Sequence, residues 1–142
     1  MRFMMLMIPQ GYEKAVPGTI PDAKAVAAMM KYNDSLQKAG VLLALDGLHP
    51  LSMGARVSFS GGKPKPVHGP FREANHVLGG YWMIRVNSKE EAIEWATRCP
   101  ASDGDVIEIR QVQEFADFPA DVQQAAAGFP DLNARSQERG RS

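Results

Sequence analysis

A single cysteine, Cys99, in 142 residues leaves no partner for an intrachain disulfide and none for a zinc site built on cysteine pairs. Charge of one sign is not in excess either, with 16 Lys and Arg against 16 Asp and Glu. There is thus no global basic field to gather a phosphate backbone, and no nucleic-acid partner is expected. Long apolar runs are missing. The start, MRFMMLMIP, stops at Pro9 without a small-x-small cleavage pattern, and nothing elsewhere approaches the roughly 20 residues of a membrane span. A strand is read there rather than a leader, no membrane partner is expected, and a reducing cytoplasmic setting is the expectation. Only three histidines occur, His49, His68 and His76, without HxH or HxxxH spacing, so no metal and no cofactor is expected.

What is present suffices for one core-forming domain, with 44% hydrophobic residues. Residues 1–115 read as that domain and 116–142 as a C-terminal extension. Phe3 to Ile8 is continuously apolar, the pattern of a strand covered on both faces. In TIPDAKAVAAMMKYNDSLQKAG, Thr19 is read as the cap and Gly40 as the stop of a helix whose stripe is Val26, Met29, Met30, Asn33 and Leu36. VLLALDGLHP begins as a strand and dissolves at the turn pair Asp46-Gly47.

ARVSFS and KPKPVH flank Gly61-Gly62, a two-residue loop that favours a type I′ hairpin. If Ser60 faces Lys63 as a hydrogen-bonded pair, Phe59 faces Pro64 and Val57 faces Pro66 at non-hydrogen-bonded positions, where proline costs no ladder bond. The same prolines deny donors to any further strand, so 63–68 reads as an edge. Parity puts His68 on the face of Val57 and Phe59, which is read as facing inward.

LGGYWMIRV is a further strand with Trp82, Ile84 and Val86 on one face and Tyr81 and Met83 on the other. Ser88 with Glu91 forms a capping box, followed by the stripe Ala92, Ile93, Ala96 and Cys99, with Pro100 as the stop. DVIEIRQV alternates as a last main strand, Pro119 to Ala127 reads as a short Ala-rich helix, and from Pro130 onward a polar, flexible tail is expected. The order β-α-β-hairpin-β-α-β is an α+β, ferredoxin-like plan: an antiparallel sheet with both helices on one face and an extra hairpin. Two helices cover one face, whereas two central strands are apolar on both, so pairing of two copies through the sheets, a homodimer, is expected.

AAMMKYNDSLQKAGVLLALDGLHP, ARVSFSGGKPKPV, HGPF, LGGYWMI and SKEEAIEWATRCP, in that order and spacing, resemble the YCII-related family, in the branch named the DGPF-domain proteins after its signature turn. The resemblance runs from about Arg2 to Val112. It implies a dimeric α+β barrel and no established reaction, the family's catalytic suggestions resting on His and Asp residues lining a cleft. His68 stands where the signature has Asp, while Gly69, Pro70 and Phe71 match it. An imidazole, which can be neutral near pH 7, thus replaces a carboxylate, and a role requiring a permanent negative charge at that turn does not carry over.

Asp46, His49 and His68 are the candidate catalytic residues, since a histidine with a nearby carboxylate is the smallest constellation for proton transfer. Each also has a structural reading: Asp-Gly is a common turn pair, His49 precedes a turn-forming Pro50, and His68 can cap loop amides as an Asp would. His76, in the REANHV loop, is read as solvated, and Cys99 as a small buried hydrophobe. Arg56, Phe71, Tyr81 and Trp82 are the candidate ligand-binding residues: the rings offer flat apolar walls and the arginine an anion receptor, with core packing and solvation as the alternatives. Two functions stay open. One is a small-molecule enzyme with its cleft between sheet and loops; the other is a non-catalytic dimeric ligand-binding or protein-interaction module.

Overall fold

Burial along RFMMLMI alternates, with Phe3, Met5 and Met7 buried and Arg2, Met4, Leu6 and Ile8 half-buried. This strand, β1 (Arg2–Ile8), is the second-to-last of a four-stranded sheet in a computed structural model that describes residues 1–72 and 74–126. The other elements are α1 (Ala23–Lys38), β2 (Leu42–Gly47), β3 (Ala55–Ser60), β4 (Lys63–His68), β5 (Gly80–Arg85), α2 (Lys89–Thr97), β6 (Val106–Gln111) and α3 (Ala120–Ala125). The sheet is antiparallel in the order β2-β5-β1-β6 and open, with β2 and β6 at its edges, while among the described residues β3 and β4 pair only with each other. This is a mixed α+β architecture.

The core lies between one sheet face and the two long helices. Met5 sits between Trp82 and Ile109 in register, and Phe3, Ile84, Tyr32, Leu36, Ala92 and Trp95 close the cluster. Burying two tyrosine and tryptophan rings requires partners for their polar ends. The Tyr32 hydroxyl donates to the Trp95 carbonyl at 2.8 Å, and the Trp82 indole N–H donates to Asn33 Oδ1 at 2.8 Å. The Tyr32 and Trp82 rings meet edge to face at 5.6 Å. Asn33, the polar break in the expected stripe, is therefore the acceptor that permits Trp82 to be buried.

The helix stripes differ from those read by spacing. In α1 the buried residues are Tyr32 and Leu36, with Met29 partly buried, whereas Val26 and Met30 are exposed. In α2, Trp95 replaces Ile93, which is exposed. In both helices a large aromatic ring takes the buried position, since it buries more apolar surface than the aliphatic residue beside it. Asp22, not Thr19, caps α1, accepting from Ala25 N–H at 3.2 Å, while the Thr19 hydroxyl donates to the Val16 carbonyl. At α2, Ser88 Oγ accepts from Glu91 N–H as expected, but the Glu91 carboxylate accepts from Asn87 N–H, one residue before the cap.

The hairpin has the expected register, Ser60 to Lys63, Phe59 to Pro64, Val57 to Pro66 and Ala55 to His68, with Gly61 and Gly62 at φ 58° and 74° as a type I′ turn requires. It does not face inward. Every residue of β3 and β4 is exposed, Phe59 to 76%. With prolines silencing two donors, the ribbon joins no other strand among the described residues, and His68 at its end is exposed.

The opposite sheet face presents Met4, Leu6 and Ile8 beside Tyr81 and Met83, all half-buried in the single chain. The expected C-terminal helix is present as α3, Ala120–Ala125; Ala127 and the tail from Pro130 lie outside the described residues.

Candidate functional site

The end of β2 is fixed by close backbone approach. Gly47 is opposite Gly80, and a Cβ at Gly80 would come within 2.8 Å of the Asp46 carbonyl. A Cβ at Gly79 would meet Pro9 at 2.5 Å. Gly79 donates to the Met7 carbonyl and accepts from Leu48 N–H, at 2.8 and 2.9 Å. The Gly-Gly pair thus serves close backbone packing, and the chain leaves the sheet at Leu48.

From there Pro50 is buried and residues Leu51–Met53 make a single 3₁₀ turn. Gly69 of HGPF locks onto this turn. It donates to the Gly54 carbonyl at 2.9 Å, and a Cβ would stand 1.9 Å from the Leu51 carbonyl oxygen. The Gly69–Pro70 peptide is cis. Phe71 then lies under Arg56, whose guanidinium sits 4.1 Å from the ring centroid. Ala74 and Val77 are buried and anchor the return to β5, and between them His76 adopts a left-handed backbone at φ 53°.

Two cavities open on this end of the sheet. One, of ≈ 470 Å³, is lined by Leu48, His49, Pro50, Leu51, Met53, Gly54, Arg56, Asn75, His76, Val77 and Leu78. The other, of ≈ 480 Å³, is lined by Pro9, Tyr12, Thr19, Pro21, Gly47, Leu48, His49, Pro50 and Gly79. Leu48, His49 and Pro50 line both and form the wall between them. The Tyr12 hydroxyl donates to the Leu48 carbonyl across the second cavity, and burial pushes that phenol up.

Asp46 and Tyr81 line a third, smaller space of ≈ 220 Å³ with Trp82, Met29 and Asn33. The hydrogen bond that Asp46 receives comes from the Tyr81 hydroxyl, at 2.6 Å, and not from His49. This bond, ahead of desolvation, raises the Tyr81 phenol. His68 lines none of these three spaces. Of the residues singled out by sequence, His49 and Arg56 share a cavity, Asp46, Tyr81 and Trp82 share another, and Phe71 carries Arg56. Trp82 is mainly core.

His76 was missed as a wall residue because nothing in REANHV is periodic. The available signal was residue type alone, since His, like Asn and Asp, tolerates the left-handed region better than most. Cys99 is half-buried beside another space, with Ile93, Ile107 and Ile109. Burial first, then the Asp105 carboxylate, pushes its thiol up to about 11, which leaves it protonated and unreactive. Among the described residues, no group of three or more His, Cys, Asp or Glu side chains is placed to hold a metal ion.

No curated protein matches the chain significantly. The family model for the YCII-related domain matches residues 1–116, most of the chain and every element from β1 to β6, and the chain therefore belongs to the YCII-related domain family.

Proposed function

We propose that this protein is a homodimer of ferredoxin-like subunits, of the DGPF branch, that binds a small molecule at the loop end of its sheet, with His49 as the proton-transfer group. The observation that carries the reading is the position of His49 on the wall shared by the two cavities of ≈ 470 and ≈ 480 Å³. Sites for small molecules fall in the range of about 300–1,000 Å³ and combine apolar walls with a few convergent polar groups. Leu48, Leu51, Val77 and Leu78 supply the walls, and His49 with Arg56 and His76 supplies the polar groups. The strand order and the half-buried apolar second face support the subunit plan and its pairing with a copy.

Mass spectrometry of the native full chain tests this. A small molecule retained by the wild type and lost in His49→Ala is the expected result. Retention by both proteins, or by neither at ligand-saturating concentration, would remove His49 from the site.

A second reading, binding without turnover, is favoured by the engagement of Asp46 with Tyr81. A carboxylate occupied in that way does not orient the His49 imidazole, and a base without an orienting partner is a weaker catalyst. Recovery of the retained molecule unaltered after prolonged incubation would support this reading; its conversion by wild type and not by His49→Ala would support the first.

A further inference from the structure

The cavity of ≈ 470 Å³ has a lopsided chemistry. Arg56, His49 and His76 lie on its wall, and among the described residues that line it there is no Asp or Glu. The imidazoles offer an N–H donor in either charge state, and the guanidinium offers five. Apart from Asn75, the remaining lining is apolar or glycine, chiefly Leu48, Leu51 and Val77.

Arg56 is held ready rather than spent. Arg2 is engaged on Glu114 at 2.6 Å, Arg98 on Glu94, and Arg110 lies near Glu108 at 3.6 Å. Arg56 is instead stacked at 4.1 Å on Phe71, the last residue of the signature turn. Stacking occupies the flat face of a guanidinium and leaves its edge, which carries the donors, unused. Among the described residues that edge has no hydrogen-bond or ion-pair partner. The stack also restricts the rotamers of a long side chain, so less freedom is lost when an anion is gripped. A second feature agrees: His76 reaches the cavity wall from a left-handed backbone, a conformation that persists at such places where its surroundings enforce it.

We infer that this cavity takes a small organic anion, a carboxylate on an apolar body, with Arg56 as the carboxylate receptor and His49 and His76 as additional donors. The fork of a guanidinium matches the two oxygens of a carboxylate. The apolar walls require the rest of the ligand to be apolar, since a bare inorganic anion would leave them without contact. The inference rests on the reading of this cavity as the ligand site and names the class of ligand for it.

The test is a methyl-NMR titration of the full chain with four probes: hexanoate, hexan-1-ol, hexylamine and inorganic phosphate. Hexanoate is expected to shift the methyls of Leu48, Leu51 and Val77 and to bind about tenfold or more tightly than hexanol, as a charge-assisted bidentate bond implies. In Arg56→Gln that preference should vanish while hexanol still binds; in Phe71→Leu, which keeps the charge and removes the stack, it should shrink. Hexanol or hexylamine binding as tightly as hexanoate at these methyls, or a preference intact in Arg56→Gln, overturns the anion and leaves the cavity standing as a ligand site. Phosphate binding as tightly as hexanoate overturns the apolar body. Absence of any shift at these methyls with all four probes overturns the cavity itself, and the ligand class with it.

Discussion

The Arg2 guanidinium holds the Glu114 carboxylate through two hydrogen bonds, Nε to Oε1 at 2.6 Å and Nη2 to Oε2 at 3.0 Å, so the segment after β6 is fastened to the first residue of β1. The β1–β6 pairing continues past its last paired strand residue through Val112 N–H donating to the Arg2 carbonyl at 2.9 Å. The ion pair thus ties the chain just beyond β6 to the start of β1.

Glu114→Gln removes the charge from this fork. With the carboxylate about one-third exposed, the cost should be about 0.5–1 kcal/mol, near the upper end for partly solvated pairs. The Arg2 hydrogen bonds hold the Glu114 carboxyl below its ordinary value of 4.5. A group depressed on folding stabilises above its unfolded value and loses that contribution as pH falls through the folded value. Urea unfolding at neutral pH should therefore show the deficit of Glu114→Gln, and the two proteins should converge on the acid side of 4.5. A deficit of equal size at both ends would show that the effect is not electrostatic.

The HGPF turn makes a second prediction, in which its residues separate. Gly69 has no room for a Cβ, the obstacle being the Leu51 carbonyl rather than a movable side chain, so Gly69→Ala should cost about 1–3 kcal/mol through backbone displacement. His68 is exposed on the hairpin, so His68→Ala and His68→Asp should each stay within about 0.5 kcal/mol of the parent. Thermal melts of the three variants give the comparison. A large loss in His68→Ala would show that the imidazole caps the turn after all, and a silent Gly69→Ala would show that the turn can move away from Leu51.

The hairpin register was legible in the sequence because local rules suffice for it: Gly61-Gly62 demands a type I′ turn, and Pro64 and Pro66 can only sit where no ladder donor is needed. The central places of β1 and β5 in the sheet followed from their apolar patterning. The position of His49 at the end of β2 was also legible. The surroundings of His49 were not, because its cavity is closed by residues 75–78, which return from a distant part of the chain. Tyr32 and Trp95 escaped for a related reason. The Tyr32 hydroxyl finds its partner in the Trp95 backbone carbonyl, 63 residues away, a packing of α1 on α2 that no periodicity reports. Inward orientation of the hairpin failed because parity says which residues share a face, and nothing about whether another layer covers that face.

Cys99 supplies a third prediction. Its thiol, raised from 9.0 to about 11 by burial and the Asp105 carboxylate, should react with an alkylating reagent about 100-fold more slowly than an ordinary cysteine at mildly alkaline pH. The sign for stability is opposite to that of Glu114. A thiol raised on folding stabilises fully below 9.0 and loses its contribution as pH climbs through about 11. Cys99→Ala should remove that alkaline dependence. A fast alkylation rate in the folded protein would place the thiol in solvent and contradict its half-buried position.

The proposed homodimer gives the last prediction. Met83 faces Met4 in register on the sheet face opposite the helices, with Leu6, Ile8 and Tyr81 around them, and each is half-buried in the single chain. In an isolated subunit a lysine at position 83 can extend its charge into water along its own apolar stem, at little cost. Between two sheets the same charge would be desolvated, unpaired and duplicated by symmetry, which is costly enough to break the pairing. Sedimentation at low micromolar concentration should therefore give the mass of two chains for the wild type and the 15.5 kDa of one chain for Met83→Lys, with an unchanged far-ultraviolet spectrum. A wild type that sediments as one chain rules out the dimer. A Met83→Lys variant that remains paired moves the interface to another surface, of which the exposed Val57 and Phe59 of the hairpin would be the next to probe by the same substitution.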